Sequence, residues 1–207
     1  MDSKIIRSIN MNNIIPNELR GNWKNIKIDS IKDIEEKAAK YLNRDNIMEL
    51  CWHRLHNEIP ELLNKKLKVL DVGCANGATL EILRWYRHDA IGMDYTIGYV
   101  EGDWLYKPLI ESQELKCINH NGADLPYPFK DKEFDLLICY GAITFFGLKT
   151  PWINILNEFA RITKKCILLG VNVGEEYNRE RQNLNTWKHD QFKLDWNRNS
   201  IYKWIAK

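Results

Sequence analysis

Asp71 closes a short apolar run, and glycines follow it at 73 and 77 within VLDVGCANGATLEIL. Glycine between a strand-like run and a helix-like one lets the backbone come close to a ligand. Such a loop suits a phosphate, a dinucleotide or a nucleoside. A phosphate loop needs Gly-Lys-Ser/Thr, because the lysine and hydroxyl serve phosphate and magnesium. Here Ala78 and Thr79 follow Gly77, so that chemistry is excluded. A dinucleotide fingerprint needs glycines at 73, 75 and 78, and the chain has Gly73, Ala75 and Ala78. Asp94 ends the next apolar run, AIGMD, 23 residues after Asp71. A carboxylate there can accept from both hydroxyls of a ribose, a charge-assisted pair that fixes a nucleoside. Asp94 selects nucleoside ligands without separating one from another.

A third block does separate them. NGADLPYPFKDKEFDLLI spans residues 121–138, and a dehydrogenase has no use for it. With Asp71, Gly73, Gly77 and Asp94 it resembles the class I family of S-adenosyl-L-methionine (SAM)-dependent methyltransferases. The resemblance runs over most of residues 68–173. The family's first loop reads D-x-G-x-G-x-G, so Ala75 stands where the middle glycine is usual. Its methyl group costs little if the backbone keeps a negative φ there. A side chain at Gly73 is expected to intrude on the ligand. The resemblance implies SAM as cofactor, with S-adenosyl-L-homocysteine as product. It places Asp71, Gly73, Cys74, Ala75 and Gly77 around the cofactor, with Asp94 and Tyr95 at the ribose. Asn121 is expected to face the adenine amine, with backbone N–H groups of Gly122 and Ala123 offered to a ring nitrogen. Cys139 and Tyr140 are expected to border the cofactor at the end of the fourth strand. Trp23 is expected on an N-terminal lid, where its indole would exclude water and contact the sulfonium.

Methyl transfer needs alignment of the acceptor, and a base helps when the acceptor is a hydroxyl or an ammonium group. His189, beside Asp190, and His120, beside Asn121, are the catalytic candidates. Many small-molecule members carry a histidine near Thr144 and Phe145, and neither of these is a base. The Asp/Asn-Pro-Pro-Tyr/Phe motif of DNA and RNA amino-methyltransferases is absent. Cys51, His53 and His56 lie close together in sequence, but no second Cys/His pair stands at zinc-finger spacing, so no metal is expected.

These residues need elements to hold them. From Lys68 onward short apolar runs alternate with amphipathic ones, the pattern of an α/β sheet. Strands are expected at 68–72, 90–93, 116–119, 134–139 and 166–173, with helices at 78–86, within 100–115, and at 151–163. The first thirty residues read as an irregular arm; helices follow at 31–42 and 47–57, and a short one from Pro60 through Leu63. Residues 186–207 read as a hairpin added to the sheet edge, with NRNS as its turn. The expected fold is a doubly wound, mostly parallel class I sheet with helices on both faces, an N-terminal helical arm and a C-terminal hairpin. Residues 1–66 are expected to form a helical cap and 67–207 the SAM-binding domain, within one globular unit.

A length of 207 residues is enough for one sizeable core. The formal charge of +2 shows no basic stripe, which argues against a nucleic-acid partner. Five scattered cysteines fit a reduced, cytoplasmic protein. The N-terminus lacks the apolar core of a signal peptide, and no run is long enough to span a bilayer. The expected activity is methyl transfer to oxygen or nitrogen of a small molecule, such as a sugar, nucleotide-sugar or other metabolite. A protein or RNA methyltransferase, or a non-catalytic SAM-binding partner protein, is the alternative.

Overall fold

In the computed structural model, residues 14–21, 23, 43–63, 65–95, 106–198 and 200–207 are described. The helix expected at 31–42 and the first part of the one expected within 100–115 lie outside them. The elements in chain order begin with α1 (Arg44–Glu58), β1 (Lys68–Val72), α2 (Ala78–Trp85), β2 (Asp89–Asp94), α3 (Lys107–Ser112) and β3 (Cys117–Asn119). They continue with β4 (Phe134–Tyr140), α4 (Ile143–Phe146), α5 (Trp152–Ile162), β5 (Thr163–Gly170), α6 (Asn178–Thr186), β6 (Phe192–Arg198) and β7 (Ile201–Ala206).

The seven strands form one sheet in the order β3-β2-β1-β4-β5-β7-β6. The first five are parallel, and β7 and β6 close the edge as an antiparallel pair. The chain winds outward from β1 to β3, then returns to lay β4 on the other side of β1. Ligands of open α/β sheets bind at such a reversal, outside the carboxyl ends of the strands.

Alternation along the central strands feeds two cores. Leu70, Val72, Leu137, Cys139, Ile167 and Leu169 pack on one face against Ile155, Leu156 and Phe159 of α5. Val69, Leu136, Ile138 and Leu168 pack on the other against Met48, Trp52 and Leu55 of α1 and Ile82 of α2. Both faces are covered, so these strands read as continuous apolar runs. Asp71 and Tyr140 fall in register with the second set and share its face with α1.

The structure also departs from expectation. Helix α1 begins at Arg44, where the Asn43 side chain caps it by accepting from the Asn46 N–H at 3.3 Å. Strand β5 starts three residues early, at Thr163. Helices α4 and α6 were not expected. In α6 only Leu184 is buried, so its sequence, NRERQNLNT, carries no apolar period to read. The hairpin therefore starts at Phe192 rather than 186.

A buried ion pair fastens the N-terminal segment to the sheet domain. Arg44 Nη2 lies 2.6 Å from Glu81 Oε2 of α2, and both side chains are buried. The Trp23 indole donates to the other Glu81 oxygen at 2.6 Å, and Arg44 also donates to the Leu19 carbonyl. Both charges are satisfied only together. Arg44→Ala should therefore cost about 3 kcal/mol in urea unfolding, because it strands a buried carboxylate, while the paired Arg44→Met/Glu81→Leu variant recovers most of that loss. A cost below about 1 kcal/mol for the single variant would show that the pair is not a fastening.

Candidate cofactor site

The loop after β1 is drawn tight by its own backbone. Gly73 has φ +75°, and its N–H donates to the Met93 carbonyl at the end of β2 at 2.7 Å. A Cβ on Gly73 would sit 2.1 Å from the Cβ of Ala142. Glycine is thus demanded by α4 packing behind the loop, not only by a ligand in front of it. Gly77, at φ +82°, precedes the first turn of α2. Ala75 has φ +45°, so the condition for a small cost, a negative φ, is not met. An alanine in this left-handed region costs roughly 1 kcal/mol. Glycine would lose a similar amount in backbone entropy, so the exchange is nearly neutral.

What holds Ala75 there is Asp94. The Ala75 N–H donates to Asp94 Oδ2 at 2.6 Å, and the Tyr95 N–H donates to Oδ1 at 2.7 Å. Two backbone donors fix the carboxylate while each oxygen retains capacity for another hydrogen bond. That leaves two acceptors side by side, the arrangement a ribose diol requires. Burial raises the Asp94 carboxyl to about 6, against the lowering effect of the two N–H groups. Asp71 is shifted further: burial, with the Asp94 charge second, pushes it up to about 8. Two crowded acids of raised pKa make a place that favours a cation.

On the adenine side, Asn121 is buried and its Oδ1 accepts from the Ala123 N–H at 3.0 Å. That N–H is spent within the chain, which corrects its expected offer to a ring nitrogen. Gly122 lies against Phe146 of α4, whose ring atoms would be 2.4–2.5 Å from a Cβ there. The Tyr127 hydroxyl donates to the Gly122 carbonyl at 2.8 Å. Glu158 of α5 accepts from the Tyr127 N–H at 2.7 Å and is itself bridged to Arg161. Helices α4 and α5 thus set the loop from behind.

At the end of β4 the two expected neighbours part. Cys139 is fully buried in the core beside α5, so it supports the site from beneath and does not open onto it. Tyr140 turns to the α1 face, where the Arg54 guanidinium lies 4.9 Å from its ring centroid. The Tyr140 hydroxyl is buried and has no hydrogen-bond partner among the described residues. Arg54 is a site residue the sequence did not reveal, because it lies on α1, outside every loop motif. Asp71, on the neighbouring β1, shares that face, so an acid and a guanidinium both lie near the end of β4.

Three expectations fail on position. His189 packs on Trp187, and the charge of Lys132 bears on it. Lys132 in turn donates to the Ala160 and Thr163 carbonyls, where β5 begins. Strand β6 runs in the same direction as β5, so the chain crosses back through α6 first and His189, just ahead of β6, lies at the amino edge of the sheet, opposite the loop. His120 stands at the correct edge but beside β3, three strand spacings or about 14 Å from β4. Its Nε2 is 2.9 Å from the Asp124 carbonyl oxygen. Trp23 is bonded to Glu81 on α2, so its indole N–H serves that helix and not a lid over the sulfonium.

The residues present fit SAM. Asp94 suits the ribose, Asp71 the amino group and Arg54 the carboxylate of its methionine end. The sheet order is that of the class I SAM-dependent methyltransferase fold. A family model described as a methyltransferase domain matches residues 70–166. That stretch, a little under half of the chain, is a methyltransferase domain. Curated relatives include the "Probable tRNA methyltransferase 9B" of Homo sapiens, 25% identical over 169 residues, or 81% of this chain. The Bos taurus protein of that description is 26% identical over 132 residues, or 64% of this chain. The chain spans only 33% and 26% of their respective lengths. Among solved structures, the PH0226 protein of Pyrococcus horikoshii superposes with a TM-score of 0.56 at 17% identity, covering 80% of this chain and 92% of that one. The 16S rRNA methyltransferase RmtF, in complex with S-adenosyl-L-homocysteine, gives 0.55 at 14% identity, covering 84% and 70%.

The raised acids set a pH dependence. Asp71 titrates near 8 in the folded chain and near 3.9 when unfolded, so folding takes up a proton between those values. Its contribution to stability is complete below about pH 4 and is lost as pH rises through about 8. Asp94 acts in the same sense, its loss running from about pH 4 and complete as pH passes about 6. The melting temperature of the ligand-free chain should fall between about pH 4 and about pH 8, and Asp71→Asn should flatten the upper part of that fall. A variant curve parallel to the wild type would remove Asp71 as the cause.

Proposed function

We propose that this chain transfers the methyl group of SAM to an oxygen or nitrogen of a small molecule, such as a sugar, nucleotide-sugar or other metabolite. The cofactor supplies a methyl group on a sulfonium, and its displacement requires in-line geometry. Asp94 holds the ribose, ionised Asp71 receives the ammonium, and Arg54 with the Tyr140 hydroxyl receives the carboxylate. With His189 at the far edge and His120 beside β3, the rate rests on alignment and exclusion of water rather than on a histidine base.

One observation favours the small acceptor. The segments leaving the carboxyl ends of β4 and β5, residues 141–150 and 171–181, carry Lys149, Arg179 and Arg181 against Glu175, Glu176 and Glu180. Their charges cancel. Their exposed apolar side chains are Phe145, Leu148 and Val173. An RNA acceptor calls for a basic face that neutralises phosphates. The second reading is RNA, supported by the description of the curated relatives as tRNA methyltransferases.

Labelled SAM offered to a mixture of metabolite extract and total tRNA distinguishes the two. The expected label is in the small-molecule fraction; label in the RNA fraction overturns that acceptor class. Asp94→Ala should weaken SAM binding about tenfold by calorimetry, through the lost ribose bonds. Arg54→Ala should weaken SAM but leave 5′-methylthioadenosine, which lacks the carboxylate, bound as before. Equal losses for both ligands would dismiss Arg54 as the carboxylate partner.

A further inference from the structure

Two of the five cysteines meet beneath the cofactor loop. Cys74 lies between Gly73 and Ala75, and Cys117 is the first residue of β3. Their sulfurs are 3.4 Å apart. They come from the two strands flanking β2 and meet over Gly92, whose absent side chain makes the contact possible. A Cβ on Gly92 would lie 2.6 Å from the Cys74 sulfur and 3.0 Å from that of Cys117. Cys74 is buried, while Cys117 is only half-buried and open to a small oxidant.

We propose that Cys74 and Cys117 form a reversible disulfide that disables the cofactor loop. The proposal rests on the SAM site described above. The oxidant is a peroxide. It takes the Cys117 sulfur to a sulfenic acid and is itself reduced, for hydrogen peroxide to water. The Cys74 sulfur then attacks the Cys117 sulfur and a second water leaves, so two thiols lose two hydrogens in total. Burial, with Cys117 beside it, raises the Cys74 thiol and keeps it protonated, so oxidation begins at Cys117. A thiol reductant restores both side chains.

The consequence follows from where Cys74 sits. A disulfide holds its sulfurs at about 2.0 Å, so bond formation draws Cys74 toward β3. The adjoining Ala75 N–H lies 2.6 Å from Asp94, and the adjoining Gly73 N–H lies 2.7 Å from the Met93 carbonyl. Both bonds leave little room for the chain between them to move, so the linkage displaces the groups that meet the nucleoside.

The test treats the full chain with hydrogen peroxide, maps its peptides and measures SAM affinity before treatment, after it, and after dithiothreitol. A Cys74–Cys117 cross-linked peptide is expected, with affinity reduced about tenfold and recovered on reduction. Cys117→Ser should bind SAM as the reduced wild type does and lose its sensitivity to peroxide. Absence of the cross-linked peptide overturns the disulfide. A cross-link with unchanged affinity, or a peroxide-sensitive Cys117→Ser, overturns its effect on the loop. A reduced wild type that fails to bind SAM overturns the cofactor assignment and the proposed effect on binding, and the peptide map still decides whether the disulfide forms.

Discussion

One hydrogen bond, from the Ala75 N–H to the Asp94 carboxylate at 2.6 Å, joins the end of β1 to the end of β2. It asks Ala75 to accept a left-handed backbone, and it gives Asp94 a single orientation. The loop can bend this sharply because Gly73 lets Ala142 pack behind it. The same short helix, α4, presses Phe146 against Gly122 on the adenine side. Three strand ends are thereby drawn to one point. A charge-assisted bond of this kind is stronger than a neutral one, which is why it can govern a loop of small residues.

The electrostatics express a compromise between folding and binding. Burial near the strand ends leaves Asp71 and Asp94 both harder to ionise than ordinary carboxyls. Asp71 stays largely protonated near neutrality and disfavours folding as it ionises. A cationic ligand group reverses that balance, since it stabilises the charged form. Arg54 provides the opposite sign on the α1 side, over Tyr140. In the proposed reading a zwitterionic methionine end would meet Asp71 from the sheet and Arg54 from α1, the helix that precedes β1.

Much of this was legible in the sequence. The β1 loop, Asp94 and the 121–138 block carry local signals, because each sits where an apolar run ends and backbone geometry is demanding. The continuous runs of β1, β4 and β5 announce strands covered on both faces. Helix α6 was illegible because its sequence is polar on nearly every side. The angle at Ala75 is not legible in the residue type, which favours negative φ; the hydrogen bond to Asp94 holds it in the left-handed region. His189 is displaced for a topological reason: α6 carries the chain back along the sheet before β6 begins, and sequence distance says nothing about which edge a residue reaches. Trp23 was read as a lid because its partner, Glu81, lies 58 residues away.

The sequence by itself determined the class of fold, the glycine loop after β1 and the acid that ends β2. Those depend on neighbours in the chain, where residue type and spacing fix the backbone. Only the tertiary structure decided that Arg54 stands over Tyr140, that Cys74 touches Cys117 across Gly92, and that the return through α6 leaves His189 at the amino edge. These are contacts between distant segments. They follow from the order in which strands pair and from which side chains the packed helices leave room for, and neither is written in any local pattern.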